Sequence, residues 1–225
     1  MNILLLPGMD GTGVLFEPFV KAFPNSLDIQ VATLIQETDV SFEEQASALL
    51  GQVKNNTVIV GESYSGLVAH ELAKLAPESI KHIVFAASFL VRPSILAKFG
   101  NLVPKRMLDY TLYPKPIVMQ VLFGKYRSQY LMELFERAMA DVPLDLLEFR
   151  IKQLCNLNKV EHSNNIPATY LQAEYDSLVS SNAVDVFKKV YPHLDHKTVR
   201  GSHFVLQTNP KDSVREVMAI IAKTD

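Results

Sequence analysis

The chain has 225 residues, 48% of them hydrophobic, and its 22 Lys and Arg against 24 Asp and Glu leave a net charge of −2. That length supports one domain with a sizeable core, and the composition is globular, which excludes a disordered chain. The basic residues are scattered without forming a stripe, which argues against a nucleic-acid partner, and the single cysteine, Cys155, excludes an intrachain disulfide.

The first apolar run, Asn2–Leu6, is stopped by Pro7-Gly8. It is shorter than the roughly 7–15 residues of a signal h-region, and no stretch approaches the ~20 apolar residues of a membrane span. The expectation is a soluble, cytoplasmic protein with no integral membrane segment. The run leads into Pro7-Gly8-Met9-Asp10-Gly11-Thr12-Gly13. A glycine-rich turn after a first strand could cradle a dinucleotide phosphate, but Gly8, Gly11 and Gly13 are spaced three then two, and the P-loop lysine is absent. An exposed amide just after Gly8 suits another task, the stabilisation of an oxyanion.

The next run, Asp28–Leu34, precedes a capping box at Ser41-Phe42-Glu43-Glu44, and Ala46, Leu49, Leu50 and Val53 follow on one helical face. Thr57-Val58-Ile59-Val60 is continuous in apolar and β-branched residues, as strands buried on both faces are. It runs into Gly61-Glu62-Ser63-Tyr64-Ser65-Gly66 and a helical pattern at Leu67, Val68, Leu72 and Leu75. The pattern G-x-S-x-small between a strand and a helix suits a nucleophile elbow, where a sharp turn lifts the serine hydroxyl out of the sheet. That turn crowds the positions two before and two after, so Gly61 fits, Ser65 adds a hydroxymethyl group, and Gly66 offers relief one residue later. By itself the motif also reads as a tight turn with helix-capping serines.

After the run Ile80–Ala86 the rhythm breaks. From Val91 to His162 the chain is punctuated by Pro93, Pro104, Pro114, Pro116 and Pro143 and contains no convincing strand. Leu147, Ile151 and Leu154 repeat at helical spacing. Phe99, Met107, Leu112, Ile117, Met119, Phe123, Tyr130 and Phe135 enrich the stretch in large apolar side chains. It reads as a helical insertion, residues 91–162, packed over the C-terminal edge of a sheet built by residues 1–90 and 163–225.

Ala168–Ala173 leads into Glu174-Tyr175-Asp176-Ser177-Leu178-Val179, and His196–Val199 leads into Arg200-Gly201-Ser202-His203-Phe204. Asp176 and His203 each follow a strand, although Asp176 alone reads equally as a helix-cap aspartate. His70 falls on the helix after the elbow and His82 at a strand start, both structural positions, and His162 ends the insertion. His193 and His196 lack the third ligand that a metal site needs, so no metal is expected. The last helix opens at Asn209-Pro210 and presents Val214, Val217, Met218 and Ile221 to the sheet. Alternation of strands and helices makes the whole a wound α/β sheet.

Ser63, Asp176 and His203 stand in the chain order of one hydrolase fold, each after a strand. On these residues, on Leu6–Gly13 and on Gly61–Gly66, nearly the whole chain resembles the α/β-hydrolase superfamily, in its small esterase, thioesterase and lipase-like branch. The resemblance implies a three-layer fold with six parallel strands in the order 2-1-3-4-5-6, lacking the family's N-terminal hairpin, and it makes the insertion a helical cap. It implies Ser63 as nucleophile, His203 as base and Asp176 as orienting acid, with the Met9 and Tyr64 amides as oxyanion donors. Pro7 departs from the pattern, standing where many members carry a histidine, and so does Ser65. The expected activity is hydrolysis of a small-molecule ester or thioester, with an apolar acyl group and no cofactor. An acyltransferase using the same triad and a non-catalytic ligand-binding module remain alternatives.

Overall fold

The computed structural model describes residues 2–93, 104–157, 160 and 164–224. Six strands, β1 (Asn2–Leu6), β2 (Asp28–Val31), β3 (Thr57–Glu62), β4 (Ile80–Ala86), β5 (Ala168–Tyr175) and β6 (Leu194–Ser202), form one sheet in the order β2-β1-β3-β4-β5-β6. Every pairing is parallel. Each of the six runs in the sequence therefore supplies a strand, although the run Asp28–Leu34 is strand only to Val31, and the order is the expected one.

A parallel sheet needs helices on both faces, and two apolar layers supply the contact. On one face Leu4, Ile59, Ile83 and Phe85 pack with Leu67, Val68, Leu72 and Phe187. On the other, Ile3, Leu5, Val58, Val60 and Val84 pack with Phe16, Phe19, Val214, Val217 and Ile221. The central strands β1 and β3 are buried at every position. The edge strands depart most from the expectation of burial on both faces: β2 is half exposed, and the first part of β6 faces solvent. Edge strands have a neighbour on one side alone, so fewer helices cover them.

Local signals act where the sequence places them. Ser41 Oγ accepts from the Glu44 amide at 3.1 Å, and Glu44 Oε2 accepts from the Ser41 amide at 2.8 Å, which completes the capping box of helix Phe42–Leu49. Helix Pro210–Thr224 follows Asn209, whose Oδ1 accepts from the Asp212 amide at 3.4 Å.

Between β4 and β5 the described residues form helices Lys115–Phe123, Gln129–Met139 and Leu144–Cys155, with short 3-10 turns and no strand. Their apolar content divides. Phe123 and Phe135 are buried with Leu15, Leu131 and Leu134, whereas Met107, Leu112, Ile117 and Tyr130 are exposed. On the last of these helices Arg150 joins Leu147 and Leu154 in the buried face, and Ile151, expected there, is only partly covered. Phe99 and His162 lie outside the described residues. Among the described residues no helix is long and apolar enough to cross a membrane.

Candidate active site

In a parallel sheet the C-terminal ends of the strands share one edge. The segments after β1, β3, β5 and β6 carry Met9, Ser63, Asp176 and His203, so topology alone collects these residues at that edge.

Ser63 sits between β3 and helix Ser65–Leu75 with φ at +49°, a left-handed conformation that an L-residue adopts only when its surroundings impose it. Its amide donates to Ala86 O at 2.9 Å, and its carbonyl accepts from the Gly66 amide at 3.1 Å and from Ser88 Oγ at 2.6 Å. The turn is possible because Gly61 carries no side chain: a Cβ there would lie 2.8 Å from Ser65 O and 3.1 Å from Ala69 Cβ. Gly66 has a further part. Its bare α-carbon makes room for Ser88. The Ser65 hydroxyl is itself accommodated, since its Oγ donates to the Pro7 carbonyl and so ties the elbow to the loop after β1.

His203 Nε2 lies 2.8 Å from Ser63 Oγ, and His203 Nδ1 lies 3.1 and 3.0 Å from the two Asp176 carboxylate oxygens. The His203 and Asp176 side chains are each only 7% exposed, so water does little to screen this chain of contacts. Asp176 also meets the other description its sequence allows. Its Oδ1 accepts from the Leu178 and Val179 amides, both at 2.9 Å, which fixes the carboxylate while it faces the imidazole.

Met9 and Tyr64 flank the serine. Leu6 pairs with Gly61 in the sheet, so the loop bearing Met9 leaves the edge beside the elbow. Among the described residues neither the Met9 nor the Tyr64 amide has an acceptor, leaving both N–H groups available to a ligand atom.

No protein-family model matches the chain, and comparison with curated proteins found no match. Solved structures do match. An esterase from Thermogutta terrifontis superimposes with a TM-score of 0.81 over 100% of this chain and 90% of its own, at 13% identity. A structure of a thermophilic esterase gives 0.78 over 99% and 90%, at 14% identity. The epoxide hydrolase CorEH gives 0.77 over 100% and 92%, at 12% identity. The chain has the α/β-hydrolase fold.

Within this α/β-hydrolase fold the site has neighbours that pattern reading of the sequence missed. Arg150 is 1% exposed, and its guanidinium reaches two loops: Nη1 donates to Met9 O after β1 at 2.7 Å, and Nη2 to Ile35 O after β2 at 2.9 Å. The guanidinium also lies 5.5 Å from the centre of the Tyr64 ring. The Tyr64 hydroxyl donates to Gln153 Oε1 at 2.7 Å, and burial pushes its pKa up to about 12. Burial likewise lowers the pKa of Arg150. One signal could have revealed Arg150: it stands at i+3 from Leu147 and i−4 from Leu154, a charge on an apolar helical face.

Glu62, beside the serine, is 3% exposed and accepts from Gln207 Nε2 at 3.1 Å. Burial raises its pKa to about 7. Phe204, next to His203, packs against Phe123 of the helical segment with ring centres 5.2 Å apart, giving the site an apolar flank. Three other histidines bond away from the site. His70 Nδ1 lies 2.8 Å from Tyr191 Oη, His82 Nε2 2.9 Å from Thr169 Oγ1, and His196 Nε2 2.8 Å from Gln172 Oε1. The broad depression lined by Lys74, Ile80, Ile166 and Pro167 lies at the starts of β4 and β5, the opposite edge from Ser63.

Proposed function

We propose that this protein is a serine hydrolase that cleaves a carboxylic ester or thioester through an acyl-enzyme. The contact of His203 Nε2 with Ser63 Oγ at 2.8 Å, with Asp176 on the far side of the ring, carries this reading. Neutral His203 holds its proton on Nδ1, toward the carboxylate, which leaves Nε2 with a lone pair facing the serine hydroxyl. As Ser63 Oγ attacks the substrate carbonyl, Nε2 takes its proton. The C=O electron pair moves onto oxygen, which the Met9 and Tyr64 amides receive. Collapse of this intermediate expels the alcohol or thiol, which takes the proton from His203. Water then repeats the sequence on the acyl-Ser63 ester, releasing the acid and restoring the serine.

Residues 91–162 serve in this reading as a cap over the site, and the Phe123–Phe204 flank suits an apolar acyl group. The esterases among the structural neighbours support a hydrolase on this fold.

The test is intact-protein mass spectrometry after treatment with a fluorophosphonate, beside turnover of p-nitrophenyl esters from acetate to decanoate. A single adduct on Ser63 with ester turnover is the expected result. A folded sample that takes no adduct and turns over no ester overturns the proposal and favours a binding module.

A further inference from the structure

Arg150 is a buried cation among whose contacts no carboxylate forms an ion pair in the described residues. Its Nε has no hydrogen-bond partner. Such a group is costly to bury, and an apolar side chain of similar volume would pack at least as stably. Stability therefore does not account for an arginine here, and its contacts point to another use.

Both of its carbonyl contacts are to backbone, and one of them is Met9 itself. Gly11, three residues after Gly8, lies directly against the guanidinium. A Cβ on Gly11 would sit 2.7 Å from Nη1 and 3.0 Å from Nη2, and Gly11 has φ at +72°. The Gly11 amide donates to the Gly8 carbonyl at 3.0 Å. That carbonyl and the Met9 N–H are opposite ends of one planar peptide group, so fixing the first aims the second. Arg150 Nη1 holds the Met9 carbonyl, which belongs to the following peptide group. The two peptide planes on either side of the Met9 α-carbon are thus held at once, one by Gly11 and the other by Arg150, with Gly11 packed on the same guanidinium. Nη2 braces the assembly against Ile35 in a separate loop.

We infer that Arg150 is a positioning residue that sets the direction of the Met9 amide for oxyanion binding. The inference rests on the reading of Ser63 as nucleophile and Met9 as oxyanion donor. It makes the seating of helix Leu144–Cys155 part of the catalytic geometry, because the helix delivers the guanidinium that holds the loop. Lysine substitutes only in part, since one ammonium lacks the planar fork that reaches two carbonyls in different loops.

The experiment compares wild type, Arg150→Met and Arg150→Lys. It measures kcat and KM on p-nitrophenyl butyrate, inhibition by an alkyl trifluoromethyl ketone, and hydrogen exchange in peptides covering residues 8–13. The ketone adds to Ser63 and places an oxyanion on the donors, so it reports the transition-state contact. Losing one well-aimed donor costs about 100- to 1,000-fold in kcat, and a donor that is merely misdirected loses less. We expect Arg150→Met to lower kcat about 10- to 100-fold with KM within about threefold. Ketone affinity should fall by a matching factor, and exchange should quicken in residues 8–13 while the central strands stay protected. Arg150→Lys keeps a buried cation if the methionine variant does not fold, and the same split between kcat and KM is expected of it in weaker form. Unchanged kcat and ketone affinity in a folded variant overturn the inference. So does a loss carried by KM, or faster exchange spread through the whole sheet. Wild type that takes no fluorophosphonate on Ser63 overturns the serine-hydrolase reading itself, and this inference with it.

Discussion

Gly66 and Ser88 are in such close contact that a methyl group on Gly66 would overlap Ser88, its carbon lying 1.8 Å from Ser88 Oγ and 2.8 Å from Ser88 Cβ. Ser88 Oγ in turn donates to the Ser63 carbonyl. The glycine after the elbow thus helps secure the conformation of Ser63, by leaving space for the residue that holds it.

Gly66→Ala should therefore destabilise the protein by about 1–3 kcal/mol, the usual cost of an overfilled core. Removing the obstacle in a Gly66→Ala, Ser88→Gly double variant should recover part of the loss, because contacting residues do not contribute additively. Urea unfolding of the single and double variants measures both effects. Independent, additive losses would show that the two residues do not act as a pair.

Ser63→Ala removes the hydroxyl and leaves the backbone of the turn, so ester turnover should fall by about 10⁴-fold or more. The thermal midpoint should stay near that of wild type, since the methyl group fits where the Cβ already lies. Activity retained at a tenth of the wild-type rate would place the nucleophile elsewhere.

Asp176→Asn keeps the size of the side chain but loses the charge that selects the Nδ1–H tautomer of His203. A drop in kcat of about 10⁴-fold is expected. Steady-state kinetics on a p-nitrophenyl ester measures it, and a variant of normal rate would remove Asp176 from the mechanism.

Glu62 should make stability depend on pH. Burial raises its pKa from the ordinary 4.5 to about 7. Between these values the folded protein holds a proton that the unfolded chain has released. Stability from this group is therefore complete below pH 4.5 and is lost as the pH rises to about 7, by roughly 3 kcal/mol in all. Glu62→Gln removes that loss. Its amide also offers a donor to the Gln207 oxygen, which, like Glu62 Oε1, lacks a partner. The difference in thermal midpoint between variant and wild type should widen from pH 5 to pH 8, as followed by circular dichroism. A constant difference would show that Glu62 does not titrate in this range.

Much of the architecture was legible in the residues because strands and helices obey short-range rules. A run such as Thr57–Val60, apolar or β-branched at every position, has one stable use in a chain of this kind, a strand covered on both faces. Ser41 and Glu44 meet across a single helical turn, and Asn209-Pro210 opens a helix, whatever the rest of the protein does. That Ser63, Asp176 and His203 would meet was readable for a related reason: each follows a strand, and in a parallel sheet the strand ends converge on one edge. The tertiary structure alone decided what those residues touch. No spacing brings Arg150 to Met9, 141 positions away, or Glu62 to Gln207. Nor does composition separate the buried Phe123 from the exposed Ile117 on the same helix. Hydrogen-bond partners and burial depend on which surfaces meet after the chain has folded, and a one-dimensional pattern carries the period of an element but not the identity of the surface it packs against.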